Sequence, residues 1–195
     1  METFDPNEYS SSIEELETRH VFRQGGSQEE EQLRTAWKAR REMIHAANAS
    51  LKVLSGQLKG RAEPYVICHA DIHPSNIIRD RQGRVYVIDW DDVMLAPKER
   101  DFLFVEDPLI GNSASSSPFF KGYGKNGQAS IDWRALTYFR WERVVQDLIY
   151  YARTVWSDNH LEAVVQADAV KRFCLNLPNG RIASAARSAE ARHFG

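Results

Sequence analysis

His69-Ala70-Asp71-Ile72-His73-Pro74-Ser75-Asn76 is followed, after a short gap, by Val85-Tyr86-Val87-Ile88-Asp89-Trp90-Asp91-Asp92. Tyr65-Val66-Ile67-Cys68 just before reads as a buried strand, apolar and β-branched. The polar run that follows contains Pro74 and reads as a stiffened loop. Ile77-Ile78-Arg79 and Arg84-Val85-Tyr86-Val87-Ile88 read as two more strands, and Asp80-Arg81-Gln82-Gly83 joins them as a hairpin turn. The order is strand, polar loop, hairpin, and then an aspartate closing an apolar run.

Outward from this centre the pattern is helical. Pro97 suits the first turn of a helix over 98–105. Residues 106–131 are rich in Gly, Ser, Asn and Pro and read as a loop. Gly122-Tyr123-Gly124 in it is weak evidence for phosphate binding, since no strand feeds it. A strong helix follows over 132–156. Its apolar face is Leu136, Phe139, Val144, Leu148 and Tyr151, with Arg140 and Arg143 outside, and its aromatics Trp133, Tyr138 and Trp141 read as core. Two more helices cover about 161–175 and 182–193. Upstream, Ser10-Ser11-Ser12 looks like a helix start. Gly25-Gly26 breaks that helix, and Ser27 caps another through about 49. Leu33, Trp37, Arg41, Ile44 and Ala47 step along one face of it. Residues 50–64 read as a turn. The fold class is α+β, mainly helical, with a short β-hairpin. Residues 1–64 form a helical lead-in to 65–195, and the two parts belong to one domain.

Composition sets bounds. The 195 residues carry 25 basic and 27 acidic side chains, a net charge of −2. That balance argues against nucleic acid or a membrane surface as partner. Lys38-Ala39-Arg40-Arg41 sits among acids and reads as a solvated helix face. Cys68 and Cys174 are the two cysteines. They give no disulfide framework, though a pair between them stays open. No secretory signal and no run of roughly 18–20 apolar residues is visible, so a reduced cytoplasmic setting is expected.

The central motif carries the chemistry. An Asp, an Asn five positions on, and a second Asp after a strand is the layout of a phosphoryl-transfer site. Such a site needs an acceptor for the incoming hydroxyl's proton and hard cations to offset phosphate charge. Asp71 suits the first role, and Asn76 and Asp89 suit metal ligation. His69 supports the loop by hydrogen bonding. The same letters allow a second reading. His69, Asp71 and His73 alternate, so on a strand they would share one face and bind zinc, as in a metal-dependent hydrolase. Pro74 and Asn76 argue for a loop instead, and no further His or Cys completes a zinc set.

At these residues the chain resembles the aminoglycoside phosphotransferase and choline kinase family, relatives of protein kinases. The family pattern is His-Gly/Ala-Asp-x-x-x-x-Asn, then Ile-Asp-Trp/Phe. It appears here as His69-Ala70-Asp71 through Asn76 and as Ile88-Asp89-Trp90. Leu95-Ala96-Pro97-Lys98-Glu99-Arg100-Asp101-Phe102 and Tyr138-Phe139-Arg140-Trp141-Glu142-Arg143 are most similar to the spectinomycin phosphotransferase branch.

The resemblance implies a small-molecule kinase. Asp71 matches the catalytic aspartate, and Asn76 and Asp89 match ligands of Mg²⁺. Asp101 matches an aspartate that braces the loop. Ile78 and Ile88 match apolar positions flanking the base of ATP or GTP, and Asp91 and Asp92 lie toward the substrate. An acid-rich cleft from Asp91, Asp92 and Glu142 or Asp147 would suit a cationic aminosugar, although Arg143 and Asp147 are also spaced to pair with each other. The resemblance further implies the C-terminal lobe of a protein-kinase-like fold without its N-terminal β lobe. Residues 1–64, where the family carries that lobe, read as helical and hold no G-x-G-x-x-G and no strand lysine of the family's kind. The expectation is therefore a phosphotransferase acting on a small-molecule hydroxyl, impaired alone and served by a separately encoded N-terminal lobe. The alternative is a non-catalytic remnant or binding module.

Overall fold

The structure is a computed structural model that describes residues 1–61, 64–104, 118–123, 130–157, 161–177 and 179–194. It is mainly helical, as its apolar periodicity predicts. Helix α1 spans Asn7–Leu16 and runs into a π-helical turn, Glu17–Val21. Helix α2 spans Gln28–Leu58, with the Ser27 side chain accepting the Glu30 N–H at its start. Four short strands follow: β1 (Val66–Cys68), β2 (Ile77–Arg79), β3 (Val85–Val87) and β4 (Met94–Ala96). A 3-10 turn spans Lys98–Phe102. Helix α3 covers Pro118–Tyr123, α4 Trp133–Trp156, α5 Ala163–Asn176 and α6 Arg181–His193.

Helix α4 is the axis of the fold. Asp132 caps it by accepting the N–H groups of Arg134 and Ala135. Helices α2, α5 and α6 pack around it, and one core cluster joins Leu33, Trp37, Leu51, Phe139, Val144 and Phe173. Phe4, Ile13 and Leu16 from the first residues belong to the same cluster. The strands sit at one end as two antiparallel pairs. β1 pairs with β4 in the register Ile67↔Leu95, and β2 pairs with β3 in the register Ile78↔Tyr86. In the hairpin turn Asp80 Oδ1 accepts the N–H groups of Gln82 and Arg84, both at 2.9 Å. Gly83 closes the turn at φ 84°, a conformation that suits glycine.

Several expectations change. α2 does not stop near 49, because Leu51, Leu54 and Leu58 continue its buried face. α1 starts at Asn7, not at the serine run. Ser10 and Ser12 lie buried inside it, and the Ser10 hydroxyl bonds back to Pro6 O at 3.3 Å. β1 is not a buried strand, since only Cys68 is covered. Its partner β4 was not foreseen, because Met94-Leu95-Ala96 is too short to declare a period. Arg140 is not outside α4: at 1% exposure it is among the most buried side chains. The helix expected over 98–105 is a 3-10 turn as far as Phe102. Trp133 is half-buried against His193, with ring centroids 4.7 Å apart. The Gly- and Ser-rich stretch expected to be a loop lies outside the described residues at 105–117 and 124–129, and Gly122 and Tyr123 close α3. Both cysteines are free. No helix among the described residues is long and apolar enough to cross a membrane.

Candidate active site

The loop after β1 is built on two backbone anchors. The Asp101 carboxylate, in the 3-10 turn, accepts the N–H of His69 at 3.2 Å and of Ala70 at 2.8 Å. This holds Ala70 at φ 70°, a left-handed conformation that costs an L-residue about 1–2 kcal/mol. His69 is buried (1% exposed) and uses both ring nitrogens on the chain itself. Nε2 lies 2.8 Å from Ile88 O, and Nδ1 accepts the Asp71 N–H at 3.3 Å. The ring also packs on Trp90, with centroids 4.7 Å apart.

Those bonds remove the zinc reading. An imidazole engaged at both nitrogens has no lone pair left for a metal, so His69 cannot join Asp71 and His73 as a ligand. Among the described residues no group of three or more His, Cys, Asp or Glu is arranged to hold a metal ion. His73 instead accepts the Ser75 N–H at Nδ1 and sits edge-on to Phe104.

Asp71 and Asn76 are joined directly, for Asn76 Nδ2 donates to Asp71 O at 3.1 Å. Asn76 is buried, and its own carbonyl accepts the Ile88 N–H at 3.0 Å. That bond continues the β2–β3 ladder by one rung and stations Asp89 one residue beyond the partner of Asn76. Asp89 adopts φ 66°, again left-handed. Two of the non-glycine residues with positive φ among those described, Ala70 and Asp89, therefore flank this loop and hairpin. Such strain clusters at functional positions. The Asp89 carboxylate is exposed and makes no hydrogen bond or ion pair with any described residue. The donor set suits a hard cation: the Asn76 amide spends its N–H on backbone, which leaves its oxygen, and the Asp89 oxygens are uncommitted.

Asp91 and Asp92 are exposed on the same segment. Ile78 and Ile88 are 48% and 41% exposed, and the register Ile78↔Tyr86 puts them on one face of the hairpin with Tyr86. Glu142 is not in this cleft. It is buried, paired with Arg100, and accepts the Tyr9 hydroxyl at 3.2 Å. Burial pushes its carboxyl above the usual range, and it serves the core. Asp147 does reach the site, but through Arg143. The Arg143 Nη1 lies 3.0 Å from Asp71 Oδ1, and its Nε lies 2.9 Å from Asp147 Oδ1. The four-residue spacing announced the second contact, but nothing in the sequence announced the first. Cys68 sits beside this loop with its thiol pushed up to about 12 by burial and by Asp101. It is a small buried side chain and not a nucleophile. A groove of about 770 Å³ between α2 and α5, lined by residues such as Thr35, Arg40 and Cys174, contains none of the site residues.

The sequence model of the phosphotransferase enzyme family matches residues 3–139. The chain belongs to the phosphotransferase enzyme family. Curated protein sequences give no match. Two solved structures are similar over 97% of the chain. One is spectinomycin phosphotransferase in complex with ADP and spectinomycin, at 25% identity and a TM-score of 0.80. The other is an AMP-bound complex of spectinomycin phosphotransferase, at 26% identity and a TM-score of 0.77. The chain spans 57% and 58% of those two chains. The helical lobe with its paired short strands thus matches a lobe of a kinase-like fold. Among the described residues, no strand of this family member carries a lysine.

Proposed function

We propose that this chain carries the hydroxyl-activating half of a small-molecule phosphotransferase site. The γ-phosphate of ATP or GTP passes to a hydroxyl of an aminoglycoside- or aminocyclitol-like acceptor. The observation that carries the reading is the direct tie between Asp71 and Asn76, with Asp89 one residue beyond the rung from Asn76 O to Ile88 N. The acceptor hydroxyl gives its proton to the Asp71 carboxylate as its oxygen bonds to phosphorus. The bond to the bridging oxygen breaks, and the nucleoside diphosphate leaves with that electron pair. Asn76 and Asp89 would hold Mg²⁺. When bound, Mg²⁺ offsets the charge of the phosphates. His69 and Asp101 keep the loop in its left-handed turn. Ile78 and Ile88 offer an apolar face to the base, and Asp91 and Asp92 offer carboxylates to a cationic amine. A cytoplasmic setting, where nucleoside triphosphates are held, is part of the proposal.

The 195 residues fix only one side of the phosphates. Residues 1–64, where the family carries these parts, hold no G-x-G-x-x-G and no strand lysine for the α- and β-phosphates. We therefore expect weak binding of Mg-nucleotide and slow turnover by this chain alone, with a separately made nucleotide lobe restoring it. That same observation favours the second reading, a non-catalytic binding module. The deciding assay measures phosphate transfer from ATP and GTP to aminoglycosides, spectinomycin and choline-like alcohols, with and without an added nucleotide lobe. Asp71→Ala is the control. Transfer that disappears in Asp71→Ala supports the enzyme reading. No transfer in either condition supports the module.

A further inference from the structure

Arg143 stands on α4, 72 residues from Asp71 in the chain, yet its guanidinium is forked between two carboxylates. Nη1 donates to Asp71 Oδ1 at 3.0 Å and Nε donates to Asp147 Oδ1 at 2.9 Å. Asp147 is itself held from the other side, its Oδ2 lying 3.4 Å from Asn176 Nδ2 on α5. The guanidinium carbon lies 5.4 Å from the centroid of the Phe104 ring. An ordinary surface pair four apart on a helix is worth only about 0.2–0.5 kcal/mol and needs no third partner. This one reaches off its helix to the loop that carries the proton acceptor.

We propose that Arg143 is a positioning residue for Asp71, fixing one carboxylate oxygen so that the other, Oδ2, is presented to the acceptor hydroxyl. The inference rests on the phosphotransfer reading of the site. An aspartate side chain turns about two torsions, the last of them broad and roughly two-fold. One charge-assisted bond at Oδ1 removes that freedom. Among the described residues the opposite oxygen meets only His73 Nε2, at 3.4 Å. That is beyond the usual length of a hydrogen bond, so Oδ2 remains able to take a proton. The planar fork of arginine is what joins Asp71 to Asp147. A lysine is a point charge on a flexible stem and does not hold two carboxylates in fixed geometry. Asp147 and Asn176 extend the support to α5, so the acceptor loop is aligned against two helices of the core.

The test uses the full chain and two readouts. The first is the set of three-bond couplings and the carboxyl carbon shift of isotope-labelled Asp71 in the free chain. One rotamer is expected in the native chain, averaged couplings in Arg143→Ala, and an intermediate result in Asp147→Asn. Because it needs no turnover, this readout reports on Arg143 even if the wild-type chain transfers no phosphate, a result that would strike the phosphotransfer reading instead. The second readout is transfer, measured with whatever completes activity. Arg143→Ala and Arg143→Lys are expected to lower kcat by about 30-fold or more with the acceptor KM within about threefold, since misplacement by an ångström costs on the order of a hundredfold. Added guanidinium ion should restore part of the rate in Arg143→Ala and none in Asp71→Ala, with melting curves showing both variants folded. Unchanged Asp71 couplings in Arg143→Ala overturn the inference. So does wild-type kcat in Arg143→Lys, or a rise confined to KM, which would make Arg143 an acceptor-binding group.

Discussion

The Asp101 carboxylate accepts the backbone N–H of Ala70 at 2.8 Å and so holds a buried alanine in the left-handed region. The strain and its restraint sit one residue from Asp71. Replacing Ala70 by glycine removes the strain but also a buried methyl group and some unfolded-state stiffness. Stability should therefore stay within about 1 kcal/mol of the native chain. Ala70→Val should lose about 2 kcal/mol or more, because a β-branched residue is an outlier at positive φ. Asp101→Ala should cost about 1.5–3 kcal/mol through its charged hydrogen bonds to the loop. Urea unfolding midpoints measure all three, and an Ala70→Val variant as stable as the native chain would contradict the account.

Asp89 is expected to set the divalent-ion requirement and not the fold. Asp89 has no partner among the described residues to lose. Asp89→Asn should melt within about 0.5 kcal/mol of the native chain, as surface changes do. It should raise the Mg²⁺ concentration needed for nucleotide binding by about tenfold or more, an effect on the scale of one lost charged ligand. Calorimetric titration of Mg-nucleotide into both chains, with the nucleotide lobe present, compares them. An unchanged Mg²⁺ requirement would remove Asp89 from the ligand set.

Two carboxyls give stability opposite pH slopes. Glu17 lies in the π-helical turn. Burial alone would push its carboxyl up, but bonds from Arg41, Trp37 and His45 outweigh this and hold it below its ordinary 4.5. The unfolded chain then binds the proton first as pH falls. The contribution of Glu17 is present above pH 4.5 and lost as pH drops through the folded value. Asp147 is the reverse: burial raises its carboxyl above 3.8 against the pull of Arg143. Here the folded chain binds the proton more tightly, so stability falls as pH rises above 3.8. Urea midpoints against pH should show Glu17→Gln flattened on the acid side and Asp147→Asn missing the decline. Curves parallel to the native one would refute both assignments.

Trp37 should be the costliest core residue of α2. It is fully buried, stacks on Phe173 with centroids 5.6 Å apart, and donates its indole N–H to Glu17 at 3.1 Å. Trp37→Ala should cost about 3–5 kcal/mol. Trp37→Phe should cost less, but should also shift the acid transition that Glu17 controls, because one of the donors to its carboxylate is gone. Thermal and acid unfolding of the two variants separate packing from hydrogen bonding.

The apolar face at the strands should govern association. Ile67 is 72% exposed on β1 and Val85 62% on β3, and Ile78 and Ile88 are exposed as well. Exposed apolar patches rimmed by polar residues favour contact with other surfaces. Sedimentation of the chain alone should show concentration-dependent association, reduced in the double variant Ile67→Lys, Val85→Lys. A clean monomer at all concentrations would count against this.

Much of the fold was legible in the sequence because its signals are local. Leu33, Trp37, Ile44 and Ala47 mark α2 by spacing alone. Asp80 to Gly83 specify a turn by their own chemistry, and the run from His69 to Asn76 carries the family resemblance in residue type and interval. The family followed from those few residues, since they must recur at those intervals wherever the chemistry does. Non-local relationships were not legible. β4 is three residues long and exists because β1 lies beside it. Arg140 reads as lying outside its helix and Glu142 as a cleft residue, and both are buried because neighbouring elements close over α4. Arg143 joins Asp71 only because α4 passes beneath the loop. Periodicity tells a residue which face of its own helix it occupies. Only the packed chain decides what stands opposite that face, and so which charge meets which.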